Sequence, residues 1–264
     1  MNKKYSLALG GGSARGYAHI GVYKFLLENN IEVKEISGTS MGAIVGAFIA
    51  TGKTLEEIKQ IIDEVKVIKL IDFDLSGTIK GNKILKKLEE IFGETKIEDC
   101  KIPLKIVASK LQTGEKKVFS KGKIVDALRA SISVPMIISP YKFKGEYLVD
   151  GGVCCNLPVE ELSGENIIAV SVSNSPEFDL DAKNNFLGIE FPKDIIKTNF
   201  RLANHILDLM IRKNEELSIK NSNKNIIYLE PKLKKYGSSD FDKLKEIIEI
   251  GYKTAQKKLI NLKK

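Results

Sequence analysis

The sequence predicts an α/β fold with a largely parallel central sheet. Along its 264 residues, short apolar strand patterns alternate with longer amphipathic helical patterns, an order typical of strands joined by helical crossovers. The clearest unit is a β-rich run at 33–37, a five-residue turn at 38–42 and an apolar helical run at 43–50. No internal repeat interrupts this alternation, and no linker rich in Pro, Gly or Ser divides it. We therefore expect a single domain over residues 1–264.

The individual elements follow from local periodicity. Tyr5 to Leu9 has the pattern of a short buried strand, and a glycine-rich stretch and a helix through Leu27 follow it. Further strands are predicted at 33–37, 102–108, 116–120, 146–149, 167–172 and 226–229. Further helices are predicted at 43–50, from a capping box at 54–57 onward, and at 82–92, 123–131, 194–219 and 240–262. Residues 67–81 fit a mobile flap or a plain connection equally well, and residues 176–192 are the loosest stretch.

Composition indicates a cytosolic protein with a basic surface. The formal net charge of +8 comes almost wholly from lysine. Such a surface suits nucleic acid or acidic lipid headgroups, although biased lysine, isoleucine and asparagine usage explains the charge equally well. No apolar run is long enough to cross a bilayer, and the one behind the basic start ends at Gly10, too early for a signal peptide. Cys100, Cys154 and Cys155 lack metal-ligand spacing and fit a reducing compartment.

The turn Gly38-Thr39-Ser40-Met41-Gly42 is the most informative stretch of the chain. A Gly-x-Ser-x-Gly between a strand and a helix is typical of a nucleophile elbow, which holds its serine in strained backbone geometry. A Cβ at either flanking glycine would collide with the neighbouring strand or helix. Taken alone, the motif is also compatible with a chance match in a glycine-rich loop. With a strand before it and a helix after it, the motif makes Ser40 the candidate nucleophile.

A nucleophilic serine needs a neighbouring base to accept its proton. The chain has two histidines, His19 and His205, and neither has an acidic partner in a recognisable context. We expect His19 to pack within the fold and His205 to lie at solvent or at an interface. A carboxylate in a partly desolvated site can serve instead, because burial raises its basicity. Asp150 is the candidate, since it directly follows a predicted strand and precedes Gly151 and Gly152, although Asp-Gly-Gly also fits a plain strand-end turn.

An attacked ester also needs donors that stabilise its oxyanion. The loop Gly10 to Gly16 lies between the first strand and the first helix, so its N–H groups converge at the amino end of that helix. Such a loop suits phosphate binding equally well. Arg15 either orders the loop or contacts a phosphate. Alone, this loop is a weak signal.

Together the three motifs resemble the patatin-like phospholipase family, which combines a glycine-rich oxyanion loop, Gly-x-Ser-x-Gly soon after it and Asp-Gly-Gly/Ala much later. Weaker flanking stretches resemble its bacterial branch: Ala18-His19-Ile20-Gly21-Val22, Arg129-Ala130-Ser131-Ile132-Ser133-Val134-Pro135, Asp150-Gly151-Gly152-Val153 and Asn156-Leu157-Pro158-Val159. Phe241-Asp242 with Ile247 to Gly251 resembles its closing helix. The resemblance extends from Tyr5 to Leu262 and implies a three-layer α/β/α fold.

The resemblance also implies a lipid acyl hydrolase with a serine–aspartate dyad, in which Ser40 is the nucleophile and Asp150 the general base. It implies an oxyanion hole formed by the N–H groups of Gly11, Gly12 and Ser13, without a metal or other cofactor. The supporting motif positions are Gly10, Arg15, Gly16, Gly38, Gly42, Gly151 and Gly152.

The implied substrate is a phospholipid or another acyl-ester lipid, and not a nucleic acid. The basic surface favours adsorption to an anionic membrane face without insertion. We expect the protein in the cytoplasm, or peripherally at the inner membrane face.

Two positions depart from the family pattern. The family loop usually reads Gly-x-Gly-x-x-Gly, and Ser13 stands where the second glycine is expected. A serine adopts positive φ less readily than glycine, which bears on the geometry of the oxyanion hole. Cys154 and Cys155 replace residues that are commonly Val or Asn, which bears only on local packing.

Other classes of function are less well supported. A dinucleotide site would place Glu35 at a suitable distance for a ribose contact, but neither register of the first loop has glycine at all three required positions. A non-catalytic lipid-binding or scaffold protein on the same fold would have no reason to retain both Ser40 and Asp150. Among enzymes, phospholipid, lysophospholipid and neutral glyceride esters and acyl thioesters stay open, because all of them pass through the same oxyanion.

Overall fold

The computed structural model of the protein describes residues 4–65, 72, 79–173, 185–186, 189–190 and 195–263. Its strands are β1 (Lys4–Leu9), β2 (Glu32–Thr39), β3 (Leu104–Lys110), β4 (Lys116–Phe119), β5 (Tyr141–Phe143), β6 (Glu146–Asp150), β7 (Asn166–Val170), β8 (Asn185–Phe186), β9 (Ile189–Glu190) and β10 (Asn225–Leu229). Its α-helices are α1 (Ala18–Glu28), α2 (Met41–Ala50), α3 (Leu55–Glu64), α4 (Asn82–Phe92), α5 (Ile124–Ser131), α6 (Ile195–Lys220) and α7 (Leu244–Leu259).

The central sheet has the order β10-β7-β1-β2-β3-β6-β5, and β4 also pairs with β3. The five strands from β10 to β3 are parallel, whereas β4 and β6 run antiparallel to β3 and β5 runs antiparallel to β6. The register places Thr39 beside Val107 and Ala108 beside Asp150. The end of β2, which leads into Ser40, and the end of β6 therefore meet across β3.

The sheet is covered on both faces. Along β1, Leu7 and Leu9 belong to a large apolar cluster that includes residues of α1, α2, α5 and α7. Ala8 lies between them and belongs to a second cluster, which contains Leu157 and packs against Ile219 of α6. Because alternate residues of a strand point to opposite faces, the two clusters lie on opposite sides of the sheet. The predicted α/β architecture with a mostly parallel sheet is confirmed.

The predicted elements are confirmed with small shifts at their ends. The capping box is present, because Thr54 Oγ1 accepts the N–H of Glu57 at 3.1 Å and the Glu57 carboxylate accepts the N–H of Thr54 at 2.7 Å. The closing helix is shorter than predicted, since 3-10 turns at Phe241–Lys243 and Ile260–Lys263 flank α7. The three-residue edge strand β5 was not predicted from the sequence.

The two segments with weak patterns lie largely outside the described residues. Of the predicted flap or connection at 67–81, the structure describes Asp72 and residues 79–81. Asp72 caps α4, because its carboxylate accepts the N–H groups of Gly81 at 2.9 Å and Asn82 at 3.0 Å. Of the stretch at 176–192, only the short hairpin of β8 and β9 is described. In the described ranges, no helix is both long and apolar enough to cross a membrane.

Candidate active site

The predicted elbow lies where β2 ends and α2 begins. Ser40 is the single residue between them, with φ 55° and ψ −125°, and a non-glycine residue in such a conformation costs about 1–3 kcal/mol. A Cβ at Gly42 would lie 2.2 Å from the carbonyl oxygen of Leu9, and one at Gly38 would lie 2.7 Å from that of Gly42. Both glycines are therefore required by the close approach of α2 to the strands, as the sequence predicted.

The backbone of Ser40 is held from inside the protein by α5. Its N–H donates to the hydroxyl of Ser131 at 2.8 Å, and that hydroxyl donates to the carbonyl oxygen of Val107 at 2.6 Å. Ser131 is fully buried, whereas Ser40 is only half-buried. The elbow is thus anchored in the interior while Ser40 keeps contact with solvent.

Asp150 ends β6 and is brought beside Ser40 by its backbone contacts. Its N–H donates to the carbonyl oxygen of Ser133 at 2.9 Å, and its own carbonyl oxygen accepts the hydroxyl of Ser109 at 2.9 Å. A Cβ at the next residue, Gly151, would lie 2.3 Å from the carbonyl oxygen of Val107. The chain can turn away from the sheet at this point only because Gly151 has no side chain.

The carboxyl of Asp150 is buried and incompletely hydrogen-bonded. Its Oδ1 accepts the N–H of Gly152 at 2.7 Å, whereas Oδ2 accepts a hydrogen bond from no described residue. Burial raises the pKa of Asp150 to about 6, although the nearby Ser40 hydroxyl and the Gly152 N–H both lower it. The hydroxyl is thus close enough to affect the carboxyl, yet it does not form a hydrogen bond of full geometry with it. Asp150 is more basic than an ordinary aspartate and still mostly ionised at neutral pH.

The glycine-rich loop packs directly against the elbow. A Cβ at Gly11 would lie 2.9 Å from the Cβ of Ser40. The N–H of Gly11 is occupied, because it donates to the carbonyl oxygen of Asn156 at 3.4 Å. Gly12 and Ser13 are half-buried, and their N–H groups donate to no acceptor in the described part of the chain. Of the three predicted oxyanion donors, the geometry leaves those of Gly12 and Ser13 available to a ligand.

The other loop residues hold its two ends. The N–H of Gly10 donates to the carbonyl oxygen of Val170 at 3.0 Å, and a Cβ at Gly16 would lie 2.3 Å from the side chain of Met41. Ser13 has φ 52°. Ser13 therefore lies in the left-handed backbone region, which glycine adopts more readily than serine.

Arg15 orders this loop from within the protein. Its side chain is buried, and its Nε donates to the carbonyl oxygen of Gly12 at 3.4 Å. Burial lowers the pKa of Arg15, whereas the carboxylates of Asp208, Glu215 and Asp240 raise it. Of the two roles that the sequence left open, these contacts favour the ordering of the loop.

Neither histidine is placed as a base for Ser40 by any described contact. The ring of His19 is fully buried, and its Nε2 lies 2.8 Å from the carbonyl oxygen of Gly10, to which it donates in the tautomer that this contact requires. Burial lowers the pKa of His19 to about 4. His205 is half-buried on α6. His19 thus packs within the fold as expected, and it also supports the glycine-rich loop.

Two polar residues that were not predicted from the sequence support the loop from behind. Asn156 was noted only as part of a flanking stretch, and its Nδ2 donates to the carbonyl oxygen of Gly11 at 3.1 Å and to Glu215 Oε1 at 2.5 Å. Glu215 lies 59 residues further along the chain, on α6. Its neighbours Asn214 and Glu216 are polar as well, so no local pattern distinguishes it from a solvated helix residue.

Glu35 has a structural role that excludes the ribose contact. Its carboxylate accepts hydrogen bonds from the hydroxyl of Ser6 at 2.7 Å, the N–H of Ser163 at 3.0 Å and the N–H of Gly164 at 2.6 Å. These donors lower its pKa to about 2, although burial opposes them. Glu35 joins β1 and β2 to the segment before β7 and has its acceptor sites filled.

The cysteines and other potential metal ligands are not gathered into a centre. Within the described ranges, no group of three or more His, Cys, Asp or Glu is arranged to hold a metal ion. Cys100, Cys154 and Cys155 are free thiols. Burial is the main cause of a raised pKa in all three, which does not favour a reactive thiolate.

Comparison with known proteins shows the family. The family profile described as "Patatin-like phospholipase" matches residues 7–163, which is more than half of the chain. The protein belongs to the patatin-like phospholipase family.

Curated relatives include an uncharacterized NTE family protein of Mycobacterium tuberculosis, which is 38% identical over 180 residues covering 65% of this chain and 50% of the relative. The lysophospholipase NTE1 of Saccharomyces cerevisiae is 28% identical over 265 residues, covering 93% of this chain and 16% of the relative. The chain thus spans half or less of the length of these curated relatives.

Among solved structures, VipD from Legionella pneumophila is similar, with a TM-score of 0.62 at 16% identity over 98% of this chain and 67% of that one. This similarity concerns the fold alone.

Proposed function

We propose that the protein hydrolyses carboxylic esters of lipids through an acyl-enzyme on Ser40, with Asp150 as the general base. The observation that carries this proposal is the buried carboxyl of Asp150, which has an open acceptor atom beside the hydroxyl of a strained elbow serine. A purely structural aspartate has no need of an unfilled oxygen in the interior, because such a group costs about 1–3 kcal/mol. A general base that accepts the Ser40 proton, by contrast, needs an oxygen that is free to accept it.

The first half-reaction follows from this geometry. Asp150 accepts the Ser40 proton while Oγ bonds to the ester carbonyl carbon, and the carbonyl oxygen becomes an oxyanion. The N–H groups of Gly12 and Ser13 donate to that oxyanion, and the positive end of α2 adds to its stabilisation. Collapse of the intermediate breaks the bond to the leaving alcohol, which receives the proton back from Asp150. The acyl group then remains on Ser40.

The second half-reaction repeats these roles with water. Asp150, ionised again, accepts a proton from water as the water oxygen attacks the acyl-enzyme carbonyl. The same two N–H groups stabilise the second oxyanion. Its collapse releases a carboxylic acid and restores the Ser40 hydroxyl with the proton held by Asp150.

The substrate class that we favour is a phospholipid or lysophospholipid. This follows from the family and from relatives named lysophospholipases, such as the yeast protein. Neutral glycerides and acyl thioesters would use the same dyad. A panel of these lipids, each compared for kcat/KM, decides between them.

Replacement of Ser40 by Ala is expected to abolish ester hydrolysis, and Asp150→Asn to reduce it by several orders of magnitude, because the first change removes the nucleophile and the second its base. Labelling with a fluorophosphonate, mapped by mass spectrometry, should modify Ser40 in the wild type. His205→Gln is the matched control and should retain most activity. Retention of substantial turnover in Asp150→Asn would rule out the dyad. A wild type that binds lipid but hydrolyses no member of the panel would favour the non-catalytic alternative.

We further propose that α6 carries the face that adsorbs to an anionic membrane. Five large apolar side chains lie on one side of this helix at helical spacing and are 41% to 57% exposed: Leu202, Ile206, Leu209, Met210 and Leu217. Lys213 and Lys220 lie on the same side and are exposed. An apolar stripe with exposed lysines on the same side suits the headgroup region of an anionic bilayer; of these lysines, Lys213 pairs with Glu216 at 3.0 Å. The opposite side of α6 contacts the site, because Ile211 lies against Gly152.

This membrane proposal is tested with vesicles of phosphatidylcholine with and without an anionic phospholipid. Leu209→Gln together with Met210→Gln should weaken sedimentation with anionic vesicles at least several-fold, and binding of the wild type should fall as salt rises. Leu111→Gln is the matched control, since Leu111 is 51% exposed at a turn outside α6. Unchanged vesicle binding in the double variant would contradict the proposal, as would a wild-type dimer that the double variant converts to monomer.

A further inference from the structure

Glu215 is a buried carboxylate for which the proposed reaction has no direct use. It lies on the inward side of α6 and is 3% exposed. Besides the Asn156 amide at 2.5 Å, it accepts the hydroxyls of Ser171 at 2.6 Å and Ser173 at 2.8 Å. Burying a carboxylate is costly, and three donors from segments after β6 and β7 converge to offset that cost. Because three donors are dedicated to one carboxylate outside the sheet core, we expect its role to involve the residues next to it.

This carboxylate lies directly behind the oxyanion loop. Asn156, fixed by Glu215, donates through the same Nδ2 to the carbonyl oxygen of Gly11 at 3.1 Å. The carbonyl of Gly11 and the N–H of Gly12 belong to one peptide unit, in which they point in opposite directions. The hydrogen bond holds the Gly11 carbonyl toward Asn156, and the N–H of Gly12 therefore points away from Asn156.

Arg15 does the same for the next peptide unit. Its Nε and its backbone N–H both donate to the carbonyl oxygen of Gly12, at 3.4 Å and 3.2 Å. That carbonyl shares a planar unit with the N–H of Ser13. Glu215 is one of three carboxylates that stabilise the buried Arg15 charge, together with Asp208 and Asp240. Arg15 therefore orients the N–H of Ser13 through its own two contacts with the Gly12 carbonyl.

We propose that Glu215 is a positioning residue: through Asn156 it fixes the Gly11–Gly12 peptide unit so that the N–H of Gly12 is presented to the oxyanion, beside the N–H of Ser13 that Arg15 orients. This inference rests on the proposed function for its catalytic consequence, though not for the ordering of the loop. It also connects α6 to the site, because the helix that exposes the apolar stripe on one side carries the loop's support on the other.

The test compares Glu215→Ala with Glu35→Ala. Glu35 is also a buried, multiply hydrogen-bonded carboxylate, but it lies five residues before Ser40 on β2, about 15 Å away along the strand. With a soluble short-chain ester, Glu215→Ala should lower kcat on the order of 10- to 100-fold with little change in KM, a smaller loss than the 10²–10³ that follows removal of a donor. Glu35→Ala should lose thermal stability and keep its kcat.

Hydrogen exchange of the peptide spanning residues 10–16 provides a readout that does not depend on activity. Exchange should accelerate in Glu215→Ala and stay as in the wild type in Glu35→Ala. Glu215→Gln should lie between wild type and Glu215→Ala, because it keeps one acceptor oxygen for Asn156, and it replaces the Ala variant if that variant does not fold. Equal kcat in the wild type and both Glu215 variants, or unchanged exchange of the loop, would overturn the inference. An inactive wild type would remove the proposed function, and the exchange result would still decide whether Glu215 orders the loop.

Discussion

At the scale of single residues, the site holds its candidate base at a cost to the fold. Burial raises the pKa of Asp150 to about 6 from 3.8. Between these two values the folded protein keeps a proton that the unfolded chain releases, so the contribution of Asp150 to the free energy of unfolding falls as pH rises through this window. Above pH 6 the buried, ionised carboxyl lowers the free energy of unfolding by its full amount, on the order of 3 kcal/mol at most. A poorly satisfied carboxylate is thus held beside Ser40 at a cost to the stability of the fold.

Asp150→Asn should therefore stabilise the protein while it inactivates it. At pH 7.5 we expect its free energy of unfolding to exceed that of the wild type, by roughly 1–3 kcal/mol, because an amide needs no ionised form in the interior. Near pH 3.5 the aspartate is mostly protonated in both states, so the difference should nearly vanish. Denaturant titrations at both pH values measure this. Glu35→Gln is the control of opposite sign: its lowered pKa predicts lost stability at pH 7.5. If the difference in free energy of unfolding between Asp150→Asn and the wild type does not depend on pH, burial does not destabilise the ionised carboxyl.

At the scale of elements, the site depends on how closely α2 approaches β1. Gly42 and Gly46 lie on the same helix one turn apart, but their surroundings differ. A Cβ at Gly42 would meet the backbone oxygens of Leu9 at 2.2 Å and Gly10 at 2.6 Å, whereas one at Gly46 would lie 3.1 Å from the side chain of Ile36. Backbone cannot yield as a side chain can. The helix must therefore move if Gly42 gains a side chain, and it can remain in place if Gly46 does.

Gly42→Ala should accordingly destabilise the protein by about 1–3 kcal/mol or more and remove most of its activity, because Ser40 moves with the first turn of α2. Gly46→Ala should change stability by no more than about 1 kcal/mol, since the gain in helix propensity offsets the tight contact, and it should keep its kcat. Thermal unfolding and turnover of a soluble ester measure both. Equal effects of the two substitutions would show that the approach of α2 to β1 does not require a glycine at position 42.

The elbow and the succession of strands and helices along the chain could be predicted because their signals are local. A strand pattern, a turn that requires glycine and a helix pattern follow one another within residues 33–50, and each signal restricts the others. The end of β6 was also local, since Asp150-Gly151-Gly152 follows a strand pattern directly. Short or irregular elements such as β5 were missed because three residues contain too little periodicity.

The support of the loop could not be predicted, because it is made by contacts between distant segments. Glu215 reaches Asn156 across 59 residues and Ser171 across 44, and nothing near it in sequence marks its burial. The engagement of the Gly11 N–H by Asn156 is likewise a tertiary contact. A motif shows which residues can form an oxyanion hole, whereas the packing behind the loop decides which of their N–H groups remain available.

At the scale of the whole molecule, the last helix packs on the first. A Cβ at Gly251 of α7 would lie 2.0 Å from the carbonyl oxygen of Ala18, and one at Gly21 of α1 would lie 1.9 Å from that of Ile248. The two helices therefore touch backbone to backbone at reciprocal glycines. Just before α7, the ring of Phe241 packs edge-on to Tyr17, 6.0 Å between centroids, in the turn that continues the glycine-rich loop. The end of the described chain thus supports the segment that begins the site.

Gly251→Ala should force α1 and α7 apart and cost about 2 kcal/mol or more, because the helix-propensity gain of about 1 kcal/mol is smaller than the cost of overpacking. Gly251 packs against Ala18, which directly follows the turn at Ser13–Tyr17. Because that turn moves with α1, kcat should fall as well, at temperatures where the protein is still folded. Lys253→Ala on the same helix is the control. It removes only an exposed ion pair with Glu249 at 3.3 Å, worth about 0.3–0.5 kcal/mol, and should leave kcat unchanged. If Gly251→Ala lowers the melting temperature and kcat at low temperature stays that of the wild type, α7 contributes stability alone and the loop is held by Asn156, Arg15 and His19 without it.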